Sequence, residues 1–132
     1  MKRQLSMIAV LVLSTTLVAC GGGGSSSGVT NNGVSGNWSG TWRSSTGQAG
    51  QLAASFTQSG GTFSGPTTIY NSVCFGKEYS TGTVSGSTIQ IAITNNGIIF
   101  DGTVSGNTVS GTYLVYQSGA CYGDAGTFVM TK

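Results

Sequence analysis

Histidine is missing from all 132 residues, and only 6% of them are charged. Without imidazole there is no histidine base, proton shuttle or metal ligand. The acidic side chains are Glu78, Asp101 and Asp124, and a glycosidase would need two of them facing one cleft. Cys74 and Cys121 without histidine do not make a zinc set. Gly21 to Gly24 is followed by serines and no lysine, so it is no phosphate loop. These absences point away from an enzyme and call for no metal and no cofactor. Basic residues are equally sparse: Lys2, Arg3, Arg43, Lys77 and Lys132. They form no patch that would engage nucleic acid. No stretch beyond the N-terminus keeps a 3.6-residue apolar period, which excludes a helical domain.

What is present begins at the N-terminus. Lys2 and Arg3 precede an apolar run, Leu5 to Val18. The run is short of the roughly 20 residues that span a bilayer, so it reads as an export signal. It ends in Leu17-Val18-Ala19-Cys20, which resembles the lipobox of bacterial lipoproteins. An ordinary signal peptide with a chance cysteine and an uncleaved anchor are the alternatives. The resemblance implies cleavage before Cys20, a diacylglycerol on its sulfur and an acylated amine. Residues 1–19 are then the signal, and the membrane is a partner through the lipid anchor. Gly21, rather than Asp, after the cysteine favours the outer membrane of a bacterial envelope.

Cleavage would remove Lys2 and Arg3. Arg43, Lys77 and Lys132 would then balance Glu78, Asp101 and Asp124, leaving the mature chain formally neutral. With Cys20 lipidated, Cys74 and Cys121 remain as a pair, and an oxidising compartment would join them. Two free buried thiols are the alternative. Residues 20–36, lipidated cysteine then GGGGSSSGVTNNGVSG, read as a flexible tether with an end-to-end distance of about 20–24 Å.

Residues 37–132 read as one all-β domain. Ile89, Ile91 and Ile93 alternate with polar or small residues; so do Leu52, Ala54 and Phe56, and Val109, Gly111, Tyr113 and Val115. Period two marks strands with one buried face. The expected strands are 37–43, 50–58, 62–69, 79–85, 88–94, 97–104, 107–116 and 125–131. Ser59-Gly60-Gly61, Gly86-Ser87 and Gly106-Asn107 suit tight hairpins, and Asn96-Gly97 suits a type I′ turn. Gly-Thr followed by an aromatic or valine recurs six times, from Gly40-Thr41-Trp42 to Gly126-Thr127-Phe128. Each glycine shares a face with the large residue two positions on, as a tightly curved interior requires. The chain thus predicts an eight-stranded antiparallel up-and-down meander barrel, with a two-sheet β-sandwich as the alternative. Long connections cluster at one end, and both Cys74 and Cys121 fall among them.

Gly36-Asn37-Trp38, or Gly40-Thr41-Trp42, is similar to the first-strand Gly-x-Trp of lipocalins and their calycin relatives. That resemblance implies a tryptophan plugging the barrel floor and a basic residue near the last strand packed across it, a place Lys132 would take. Trp38, Trp42, Phe56, Phe63, Phe100 and Phe128 are expected to fill the interior. Binding candidates gather at the long-loop end: Tyr70, Phe75, Lys77, Tyr79, Tyr122 and Asp124, tyrosines being favoured at recognition surfaces. The expected function is a non-catalytic, membrane-anchored envelope lipoprotein that binds a protein or glycan partner there. The alternatives are a lipocalin-like carrier of a small apolar ligand and a purely structural, surface-coating lipoprotein.

Overall fold

A computed structural model describes residues 33–117 and 119–132. Cys20 and the signal lie outside the described residues. The chain forms strands β1 (Gly36–Ser44), β2 (Ala49–Ser59), β3 (Thr62–Ile69), β4 (Lys77–Ser85), β5 (Thr88–Ile93), β6 (Ile98–Ser105), β7 (Thr108–Val115) and β8 (Ala125–Thr131), with one 3-10 turn at Gly119–Cys121. Every strand pairs antiparallel with its sequence neighbour, and β8 returns to β1 to close the barrel. Closure leaves no open sheet edge, which a two-sheet sandwich would.

Alternation puts one side of each strand inside. Ile89, Ile91 and Ile93 point inward, and the six large aromatics named above are all buried. Their rings interlock. Phe100 meets Phe128 edge-on at 5.1 Å and Phe56 meets Phe63 at 4.9 Å between centroids, contacts worth about 0.5–1.5 kcal/mol each beyond simple burial. Glycines face several of these rings across the sheet: Gly82 pairs with Phe63, Gly126 with Tyr113 and Gly111 with Phe128. A methyl group on Gly82 would lie 2.1 Å from the Phe63 ring. The Gly-Thr-aromatic idiom therefore makes room for a large ring on the neighbouring strand as well as on its own.

Three hairpins have two-residue loops, at 60–61, 86–87 and 106–107. In each the first loop residue is a glycine with φ near +60° and the second has negative φ, the type II′ pattern. The type I′ expectation at Asn96-Gly97 is corrected. Ile93 pairs with Ile98, so the loop holds four residues, and only Gly97 has positive φ. The backbone N–H of Tyr116 bonds Gly97 O at 2.7 Å, and this contact with the β7–β8 loop fixes the longer turn.

All three two-residue loops lie at one end of the barrel, where the described segment 33–117 begins and the C-terminal strand ends. The connections at 45–48, 70–76, 94–97 and 116–124 form the other end. The folded part starts earlier than the tether boundary at Gly36 expected from composition. Val34 is 0% exposed and belongs to the core. It is held from both sides: its N–H bonds Gln58 Oε1 at 2.6 Å, and its carbonyl accepts the Trp38 indole N–H at 2.7 Å.

Candidate functional site

The tight end is a sealed floor. Trp38 is 2% exposed. The Lys132 ammonium sits 5.1 Å from its ring centroid and donates to the backbone carbonyls of Gly33 and Ser35. Of the two Gly-x-Trp matches it is therefore Trp38 that plugs the floor, with Lys132 across it, as the calycin resemblance implied. Trp42 lies four residues on along β1, toward the opposite end, and its indole N–H bonds Tyr70 O at 3.0 Å.

The long-loop end is a stapled mouth. Cys74, in the β3–β4 loop, is bonded to Cys121, in the β7–β8 loop, with their Cα atoms 6.3 Å apart. The β3–β4 loop is shaped locally. Asn71 takes a left-handed φ of 60°, which asparagine tolerates better than most residues. The Ser72 hydroxyl accepts the N–H groups of Cys74 and Phe75, both at 3.2 Å. These bonds turn Phe75 down, so that Phe75 and Cys121 pack against the core.

Beneath the staple lies a polar network that the sequence reading missed. Asp124 accepts the hydroxyl protons of Tyr113 (3.0 Å) and Ser44. Thr46 completes it, its Oγ1 lying 2.8 Å from Ser44 Oγ. Tyr113 is buried. Burial first, and then its bond to the Asp124 carboxylate, push its phenol up from 10.0 to about 12. A signal for this was present in the chain. Alternation had put Tyr113 on the inward face, and a buried phenol needs a polar partner. Two acidic residues, Glu78 and Asp124, lie close in sequence to the long loops.

The binding candidates separate into three groups. Tyr122 is exposed beside the disulfide, as is Val73 on the other side of it, at 74% and 80%. Tyr70, Lys77 and Tyr79 are exposed but outside the mouth. Tyr79 pairs with Pro66 on the outer wall and bonds Ser64 Oγ at 3.2 Å, while Tyr70 borders a surface groove with Gln51 and Ala53. Phe75 and Asp124 are partly buried, their side chains committed to the core and to the hydroxyl network. The six candidates expected to gather at the long-loop end thus do not form one exposed set. Phe75 turns inward under the staple, and the end of β3 carries Tyr70 to the outer wall. Val73 was the residue overlooked at the rim.

The eight-stranded antiparallel barrel fits a lipocalin-like architecture. No protein-family model matches the chain, and no curated protein is significantly similar to it. The site must therefore be judged on its geometry. The cavity under Phe75, lined among others by Trp42, Phe100, Tyr113 and Asp124, measures about 20 Å³. That is room for one water molecule or little more. A second internal void, between Phe56, Thr67, Ile91 and Met130, is about 10 Å³. Small-molecule sites run to about 300 Å³ and above. Glu78 is not among the residues lining the mouth cavity with Asp124; its carboxylate takes the Gly76 N–H at 3.5 Å. Among the described residues, no three His, Cys, Asp or Glu side chains gather as a metal set.

Proposed function

We propose that this chain is a lipid-anchored lipoprotein of a bacterial envelope, and that its barrel presents the stapled mouth to a protein or glycan partner. The observation that carries the reading is the division of labour between the barrel ends. The described residues begin, at Gly33, and end at the sealed floor, so a tether running back to Cys20 would hold that end toward the membrane. The mouth, with exposed Val73 and Tyr122 flanking a disulfide, would point away from it. The Cys74–Cys121 bond supports an oxidising compartment. Gly21 after the acylated cysteine supports the outer membrane.

The filled interior favours surface recognition over carriage of a small apolar ligand, because the larger void is more than tenfold below the size such a site needs. Exposed aromatic and apolar side chains held by a covalent cross-link lose little freedom on binding, which is what makes a rigid anchor effective.

Two measurements test this. Cells fed a clickable palmitate analogue should label the wild-type chain and not Cys20→Ala; label on both, or on neither, overturns the anchor. For the mouth, the tethered chain is captured from its native envelope beside the Val73→Ser/Tyr122→Ser variant. A protein or glycan retained by the wild type and lost from the variant supports the reading. Identical captures from the two overturn it.

A further inference from the structure

The outer wall of the barrel is mostly serine and threonine, and besides Tyr70 and the Tyr79–Pro66 pair it departs from this on β6 to β8. On β6, β7 and β8, the outward residues nearest the mouth are Ile99, Leu114 and Ala125, paired side by side across the strands. Leu114 is 50% exposed. The next row toward the floor runs Asp101, Thr112, Thr127, Arg43 over β6, β7, β8 and β1. Two of the few charges in the domain thus stand at opposite ends of one row, with opposite sign. Three strand spacings separate them, about 14 Å. Asp101 already accepts the Gln90 side-chain amide at 2.8 Å, which orients its carboxylate and leaves it lone pairs for a second donor.

We propose that this wall is the contact face of a two-fold dimer of the chain. An isologous interface requires a patch that is complementary to itself, and this one is. Place the two-fold axis along the strands, between β7 and β8. Asp101 of one copy then meets Arg43 of the second, and the same pair recurs at the other end of the row. In the apolar row, Leu114 of one copy meets Ala125 of the second, large against small. In the row below, Val129 meets Ser110. The same axis leaves both sealed floors toward one end of the dimer, with the two barrel axes splayed by twice the strand tilt, about 70–90°, a spread that two tethers could span to one membrane. The barrel wall is convex, so contact is confined to these strands. The interface falls in the small class, below about 1,200 Å², where binding is weak and salt-sensitive. Confinement to a membrane would raise the effective concentration that a weak contact needs.

The test is native mass spectrometry of the full chain extracted in mild detergent, read as dimer fraction against protein concentration. The wild type should dimerise with a Kd below about 1 mM. Asp101→Arg and Arg43→Asp should each weaken the dimer at least tenfold, because each sets like charges face to face. The double reversal should restore it to within about threefold of wild type. Leu114→Arg should weaken it as well, and since that side chain points outward the fold should be unaffected. A chain that stays monomeric at every concentration overturns the proposal. So does a dimer indifferent to the single reversals, as chance sharing of a micelle would be, or one that the double reversal fails to rescue.

Discussion

The two ends of this barrel are closed by different physics. The floor is closed by packing and short reach. Three II′ turns leave almost no loop, Trp38 fills the opening, and Lys132 and Val34 lock over it. The mouth has loops too long to seal in that way. It is closed instead by a covalent bond between two loops and by a carboxylate that gathers hydroxyls from β1 and β7. The floor therefore depends mainly on burial, which redox state does not change. The mouth depends on a bond that can be reduced and on a phenol that can ionise. Exposed apolar side chains beside the disulfide are found at the mouth, where the loops have backbone to spare for them.

The comparison breaks most sharply at Trp38. Trp38→Ala removes a fully buried ring, orphans the Val34 carbonyl and takes away the surface under Lys132. Large-to-small changes of this kind cost about 3–5 kcal/mol, and this one should fall at the upper end, close to the whole stability of a small domain. Urea denaturation followed by far-UV circular dichroism should show a chain largely unfolded at 25 °C. A midpoint within experimental error of wild type would mean that the floor is not the keystone described.

Cys74→Ser/Cys121→Ser should cost somewhat less. The cross-link closes a loop of sequence separation 47, for which chain entropy gives about 4 kcal/mol as an upper figure. The pattern matters more than the sum. Hydrogen exchange should quicken in 70–76 and 116–124, while amides paired across β1, β2 and β8 near the floor keep their order of protection. Uniform loosening of both ends would erase the distinction between them.

How far the chain itself announced this molecule follows the same divide. Strand positions, the meander and closure were legible because alternation and Gly-x turns are local signals. The disulfide followed from cysteine arithmetic and loop position. Val34 was not legible. Its neighbours are glycine, asparagine and serine, and its burial is decided by Gln58, 24 residues away, and by the Trp38 indole. The Asp124 network was hidden for a similar reason, since Ser44 lies 80 residues from the carboxylate it reaches. At the rim, the residue types were legible but not their directions. Phe75 turns in because Ser72 bends the loop, and Val73 turns out beside it. No period governs such a segment, so composition alone could not separate them.

The smallest of these effects is the most specific to the mouth. Tyr113→Phe removes one hydroxyl and leaves the ring, so at pH 8 it should cost about 1 kcal/mol. The cost should then shrink with alkali. The Tyr113 phenol ionises at 10.0 in the unfolded chain and at about 12 in the folded one. Between those values the unfolded chain has released a proton that the folded chain keeps, so stability falls as pH rises. The stabilisation from this group is complete below pH 10 and is lost as pH climbs through about 12. The variant has no such proton. Urea midpoints of wild type and Tyr113→Phe, compared at pH 8 and pH 11, should therefore converge, the wild type falling further. A gap that stays constant would show that burial and the Asp124 carboxylate together do not hold the phenol protonated in the folded chain.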